Sequence, residues 1–260
     1  MKFSKKSLGQ NFLIDQNIKK KIIHLTEIKN RNIIEIGPGK GALTDEIIKK
    51  KPKSLFLIEK DTNLARDLKI KYNQERNIKI ICKDFLKYDL EKILIKNSLI
   101  IGNLPYNISS QILVKILKLK WPPKFRDLVL MFQKELGEKI IGKFPSTEYG
   151  RLSILRNYRL KIENKFLVSS HCFFPKPKVT SMVIHFKPKN KYLARIRNLK
   201  NLEKITNIIF SNKRKMINKN IKKILSNEEI KIIQGLDIKM RPAEIEPETY
   251  YKITELYEKK

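Results

Sequence analysis

Five short apolar runs recur through the first half of the chain, in "RNIIEIG", "SLFLIEK", "NIKIICKD", "SLIIGN" and "DLVLMFQ". Each is followed by a more polar stretch whose apolar residues fall at helical spacing. Strands that alternate with helices predict a parallel sheet covered on both faces, and a strand covered on both faces reads as a continuous apolar run. Farther on, "KFLVSSHCFFP" and "VTSMVIHF" predict two more strands joined by a proline-rich turn, an antiparallel closing pair. The expected class is α/β, with a mostly parallel Rossmann-like sheet and an antiparallel closing strand.

After "HFKPKNK" the pattern becomes helix only. "NLEKITNIIFS" and "KMINKNIKKIL" carry apolar residues three and four apart, and "PETYYKITELY" opens on a proline, which a first helical turn tolerates. The predicted boundary therefore falls near Pro188, giving a domain over residues 1–187 and a small all-helical domain over residues 188–260. A chain of 260 residues is long enough for one full-sized core and such a second unit.

Charge carries the strongest compositional signal, with 57 Lys and Arg against 26 Asp and Glu for a net +31. A surplus of this size attracts polyanions, which makes nucleic acid the leading partner and an anionic membrane the weaker one. The membrane reading needs a basic amphipathic helix. "KKIIHL" and "NIKKIL" fit one, yet read equally well as core-facing helices with solvated lysine faces. No segment approaches the roughly 18 uninterrupted apolar residues of a membrane span. The basic start "MKFSKKSLGQNFL" has neither the apolar stretch nor the cleavage site of a signal peptide, so a cytoplasmic protein is expected. A monomer is expected too. Cys82, Cys172, His24, His171 and His185 match no zinc spacing, and no metal is expected.

The chemistry begins at "IIEIGPGKGALT", a strand, then Gly37, Gly39 and Gly41, then a helix. Glycines there let the backbone turn sharply and approach a ligand, while the helix offers its N-terminus. Because Gly37, Gly39 and Ala42 also satisfy the dinucleotide fingerprint, the loop alone leaves NAD and S-adenosylmethionine both open. Glu59 ends the second strand, where a carboxylate can accept both hydroxyl protons of a ribose, and Asp84 ends the third, where an acceptor suits the exocyclic amine of an adenine. Loop, ribose and base contacts in that order are the layout for an adenosine-containing cofactor.

At the fourth strand end stands "NLPY", Asn103 to Tyr106, with no group that acts as acid or base near neutral pH. Such a motif suits a substrate whose nucleophile is made by geometry. The exocyclic amine of a nucleobase has its lone pair delocalised into the ring. Two fixed acceptors, the Asn103 side-chain oxygen and the carbonyl of Leu104 or Pro105, can hold its two N–H groups and draw the nitrogen toward a tetrahedral shape. Catalysis is then positioning plus electrostatic stabilisation. Tyr106 offers a face on which a base removed from its own helix can stack.

At this point the sequence resembles the small-subunit ribosomal RNA adenine N6,N6-dimethyltransferases, which are class I S-adenosylmethionine-dependent enzymes. The resemblance runs through "SLGQNFL", "EIGPGKGALT", Glu59 and Asp84, "GNLPYNISSQIL", "QKELGEKI", "EYGRLSIL", "CFFPKPKVTSMV" and "MRPAEIEPETY". It implies S-adenosyl-L-methionine as cofactor, held by Asn11, Leu13, the glycine loop, Glu59, Asp84 and Asn103. It implies Asn103, Leu104, Pro105 and Tyr106 as the catalytic motif, with Phe173 packing on the flipped adenine opposite Tyr106. The implied activity is dimethylation of two adjacent adenosines in a hairpin near the 3′ end of small-subunit (16S) rRNA, with rRNA or a pre-30S particle as partner and a role in small-subunit biogenesis. The helical domain would recognise RNA, with Lys213, Arg214, Lys215 and Lys219 gripping phosphates. The alternatives are the large-subunit adenine methyltransferases of macrolide resistance and a non-catalytic RNA-binding assembly factor. "EYGRLSIL" and "RPAEIEPE" favour the first reading over the second. Two departures stand out: the basic run "NKRKMINKN" only loosely matches the family's Arg-rich C-terminal segment, and Gly137 occupies a helix where relatives more often carry Ala, at an expected cost of about 1 kcal/mol.

Overall fold

A computed structural model describes residues 10–189 and 195–260 of the chain. Residues 7–9 of the "SLGQNFL" motif and residues 190–191 of "HFKPKNK" lie outside the described residues. The chain divides into two compact units, one of Met1–Lys115, Leu119–Gly137 and Ile162–Pro188, the other of Ile116–Lys118, Glu138–Lys161 and Lys189–Lys260.

The first unit begins with β1 (Phe12–Leu13) and α1 (Gln16–Ile23), the latter capped by the Asp15 side chain, which accepts from the Ile18 N–H at 2.8 Å. Then follow β2 (Asn32–Ile36), α2 (Thr44–Lys49), β3 (Ser54–Glu59), α3 (Thr62–Lys71), β4 (Ile78–Cys82), β5 (Ser98–Asn103), α4 (Ser109–Leu117), β6 (Phe125–Gln133) and α5 (Lys134–Ile141). After α6 (Arg151–Arg159) come β7 (Leu160–Val168), β8 (Phe173–Phe174) and β9 (Ser181–Pro188). Seven of these strands form one sheet in the order β4-β3-β2-β5-β6-β9-β7. The β4-β3, β3-β2, β2-β5 and β5-β6 pairs are parallel, and β9 closes antiparallel on β6. The register sets Ile33 of β2 against Leu55 of β3 and Leu99 of β5, all fully buried, which is why these runs show no alternation.

The strand expected over "KFLVSSHCFFP" is in fact two. β7 stops at Val168, a single turn spans Ser170–Cys172, and Phe173–Phe174 leaves the main sheet to pair antiparallel with β1 in a separate two-stranded ladder. The helix cost expected at Gly137 also has a reason. A Cβ there would lie 2.9 Å from Met182 Sδ and 3.0 Å from its Cβ, so the missing side chain lets α5 lie against β9. Alanine at this position would exchange a propensity gain for overpacking.

The second unit contains α6, α7 (Leu199–Phe210), α8 (Asn218–Ile221), α9 (Asn227–Lys231) and α10 (Pro247–Tyr257). Residues 138–161, expected in the first domain, group with these helices because tyrosines tie them there. Tyr149 Oη donates to the Ile245 carbonyl at 2.8 Å, Tyr251 Oη donates to that of Ile154 at 3.2 Å, and the Tyr158 and Tyr251 rings lie 5.0 Å apart. The helix expected over "KMINKNIKKIL" is shorter, a four-residue α8, and the basic run before it is a series of turns.

Candidate active site

The carboxyl ends of β2, β3 and β5, with the loop after β4, surround one cavity. This is the edge at which open α/β sheets bind ligands. Gly37 and Gly39 contribute from the first of these ends, Glu59 from the second, Asp84 from the third and Asn103 to Tyr106 from the fourth, while Asn11 and Leu13 close the wall from the ladder. Side chains far apart in sequence are thus collected because parallel strands all point their ends the same way.

The loop after β2 holds Gly37, Gly39 and Gly41 at φ of +66°, +59° and +84°. At Gly39 the left-handed backbone is combined with a close approach, since a Cβ would stand 3.0 Å from the Phe12 ring. The Gly39 N–H donates to Glu59 Oε2 at 3.1 Å and the Asp61 N–H to Oε1 at 2.9 Å, so both carboxylate oxygens are oriented before any ligand arrives. Burial pushes the Glu59 carboxyl above its usual range, and the two backbone donors oppose that shift. Beneath the loop lies Glu35, 2% exposed, accepting from Thr44 Oγ1 at 2.7 Å. Burial drives its carboxyl up to about 8, against the Thr44 hydrogen bond. The sequence analysis did not single out Glu35; the available signal was an acid inside the apolar run "IIEIG".

Asp84 is held from two sides. Lys60 Nζ lies 2.8 Å from Oδ2, and the Leu86 N–H donates to Oδ1 at 2.9 Å. The Lys60 hydrogen bond is the main reason its carboxyl sits below the usual range. The loop that carries Asp84 is itself fastened by Lys115 of α4, whose Nζ donates to the carbonyls of Leu86 and Tyr88 at 2.7 Å each. Phe12, Lys60 and Phe85 also line the cavity and were not expected from the sequence.

Gly102 leads into the Asn-Leu-Pro-Tyr motif, and because a Cβ there would meet the Ile36 carbonyl oxygen at 2.7 Å, its absence lets β5 run close beside the end of β2. Asn103 Nδ2 donates to the Asn11 carbonyl at 3.0 Å, which fixes the amide and leaves Oδ1 as the end that can accept. Tyr106 is anchored through its hydroxyl, 2.5 Å from Ser181 Oγ of β9. Burial raises its phenol above the ordinary value, so the ring is a neutral surface rather than a base.

Two expected residues are not brought to the cavity. Gly41 lies outside its wall and packs on Tyr72, whose hydroxyl donates to the Gly41 carbonyl at 3.4 Å. Phe173 is 2% exposed within the apolar core, opposite Leu13, because the ladder turns that face inward. In the second unit, Arg214, Lys215 and Lys219 line a separate cleft together with Arg241, a residue the sequence analysis passed over, while Lys213 is exposed outside that lining. Among the described residues no group of three or more His, Cys, Asp and Glu side chains is placed to hold a metal ion. Nor is any described helix long and apolar enough to cross a membrane.

Comparison with known proteins places these features in a lineage. The sequence is 45% identical over 98% of its length, and 97% of the relative's, to the ribosomal RNA small subunit methyltransferase A of Pelagibacter ubique. It is 39% identical to the protein of the same name from Malacoplasma penetrans, over 96% of this chain and 91% of that one. In fold it is similar to a dimethyladenosine transferase from Plasmodium falciparum, with a TM-score of 0.75 and 24% identity over 93% of this chain and 95% of that one. It is also similar to the 23S rRNA methyltransferase ErmE, with a TM-score of 0.69 and 22% identity over 95% and 100%. The family model described as ribosomal RNA adenine dimethylase matches residues 1–259, and the sheet, the glycine loop and the intact Asn-Leu-Pro-Tyr strand end agree with that match: this chain belongs to the ribosomal RNA adenine dimethylase family.

Proposed function

We propose that this protein dimethylates N6 of two adjacent adenosines in a hairpin near the 3′ end of small-subunit rRNA, in the cytoplasm and during assembly of the subunit. The observation that carries the reading is the convergence of Gly37, Glu59, Asp84 and Asn103 on one cavity. The names of the relatives support the small subunit as target.

The cavity fits S-adenosylmethionine: a glycine loop without side chains for the methionine end, a pre-oriented carboxylate for ribose hydroxyls and an ionised one for the adenine amine. When bound there, the cofactor supplies an electrophilic methyl group on a sulfonium. Glu59 accepts the two ribose hydroxyls through the lone pairs its backbone donors leave open. Asp84 accepts the cofactor's adenine amine when the exposed Lys60 swings aside. Asn103 Oδ1 and the Leu104 or Pro105 carbonyl accept the two N6–H groups of the target adenine and hold its nitrogen for in-line attack. Tyr106 stacks on the base, and its bond to Ser181 keeps the ring from turning away. No side chain has to remove a proton before transfer, because the amine becomes acidic only after it is methylated.

The test is transfer of radiolabel from S-adenosylmethionine to unmethylated small-subunit particles or to unmethylated large-subunit RNA, followed by digestion to nucleosides. Dimethyladenosine from the small-subunit particles alone is expected. Label confined to large-subunit RNA would move the protein to the ErmE side of the family, and no label in either would leave an RNA-binding assembly factor. Asn103→Ala is expected to lower turnover by roughly 100- to 1000-fold, as loss of a positioned polar group does, with cofactor affinity by calorimetry within a few-fold of wild type. Near-wild-type turnover in that variant would defeat the positioning mechanism.

A further inference from the structure

The ladder of β1 and β8 has two unlike faces. Leu13 and Phe173, paired across it, are 3% and 2% exposed. Their neighbours Phe12 and Phe174, also paired, look the other way, and Phe174 is 56% exposed. Phe12 is part of the cavity wall and lies over Gly39, and Phe174, paired with it across the ladder, is the next aromatic on that face, one strand farther out and outside the cavity lining. Lysines accompany this ladder: Lys40 Nζ is 4.8 Å from the centre of the Phe12 ring, Lys176, two residues after Phe174, is exposed with its Nζ 3.1 Å from His171 Nε2, and Lys178 two residues later is exposed as well.

We propose that Phe174 is a stacking platform for the nucleotide next to the adenosine whose base occupies the cavity. The proposal rests on the RNA adenine substrate argued above. An exposed aromatic ring flanked by lysines is the arrangement that holds single-stranded nucleic acid, with the ring taking a base face and the cations its phosphates. The charge around the ring selects a polyanion over an apolar protein surface. When one of two adjacent adenosines is turned into the cavity, its neighbour loses a stacking partner, and Phe174 offers it a replacement face.

The experiment is steady-state methylation of unmethylated small-subunit particles by wild type, Phe174→Ala, Phe174→Leu and Phe174→Trp, with thermal unfolding to check that each folds. Phe174→Ala is expected to raise the KM for RNA about tenfold, within the range that removal of a base-stacking aromatic produces, while kcat and the KM for cofactor stay within about twofold. Phe174→Trp should restore the RNA KM and Phe174→Leu should not. An RNA KM unchanged in Phe174→Ala, or one restored as well by Leu as by Trp, would overturn the platform while leaving the site reading intact. A wild-type protein that methylates no RNA adenine would overturn the site reading and the platform together.

Discussion

Glu35 shows how a single residue of the binding edge carries a cost the fold has to absorb. It is buried beneath the glycine loop, with Thr44 as its hydrogen-bond donor, and its carboxyl is driven up to about 8. The folded chain therefore keeps a proton that the unfolded chain releases near 4.5, so this group's contribution to stability is full below that pH and is lost as pH rises toward about 8. Glu35→Gln cannot ionise. In the ligand-free protein its Tm relative to wild type is expected to be several degrees more favourable at pH 8 than at pH 5, and an equal difference at both would show that the Glu35 proton plays no part. The same scale explains what a sequence can and cannot disclose. Glu59, Asp84 and Asn103 were legible because each ends an apolar run, and the end of a parallel strand is a fixed place in such a sheet. Phe173 and Phe174 were not separable in this way. Which of two consecutive phenylalanines faces inward depends on the register with Phe12 and Leu13, a pairing that no local pattern encodes.

At the scale of elements, the edge of the sheet opposite the cavity is fastened by charge. Arg31, just before β2, places Nη2 2.7 Å from Asp127 Oδ2 at the start of β6, and His185 of β9 sets Nε2 2.7 Å from Oδ1. Arg31 also donates to the carbonyls of Asn97 and Ser98 at 2.7 and 3.2 Å, which ties in β5. Burial alone would raise the Asp127 carboxyl, but the His185 and Arg31 partners outweigh it and hold it down to about 2. Arg31→Met leaves that carboxylate buried without its guanidinium, and should cost about 3 kcal/mol by denaturant unfolding at pH 7. Because the folded pKa is depressed, the stabilisation is present above the ordinary carboxylate range and is lost as pH falls toward about 2. The gap between wild type and variant should accordingly shrink below about pH 3; a gap that persists undiminished would mean the arginine acts by packing. The order of the parallel strands was legible in the alternation of runs. The β1-β8 ladder was not, because two-residue strands have no periodicity to read.

For the whole molecule, the net charge of +31 implies binding that weakens steeply with salt. Replacing Lys213, Arg214, Lys215 and Lys219 with Gln should reduce the slope of log affinity for small-subunit RNA against log salt by roughly 3 to 4, with little change in the affinity for S-adenosylmethionine. An unchanged slope would place the RNA elsewhere on the surface. Helices α7 and α10 were legible as amphipathic segments. The attachment of residues 138–161 to them was not, since it depends on tyrosine hydroxyls reaching carbonyls such as that of Ile245, far along the chain. A last consequence belongs to the Asn103–Asn11 hydrogen bond. Asn11 precedes Asn103 in the chain, yet β1, which follows Asn11 directly, has no ladder partner until Phe173 and Phe174 have been synthesised. The amide proposed to hold the target nitrogen is thus set only after the sheet's later strands exist, so a partly translated chain has its glycine loop and its Asn-Leu-Pro-Tyr motif but not the orientation of Asn103. In a family that modifies ribosomal RNA, the enzyme's own translation would leave it inert until nearly all of its first unit had been made.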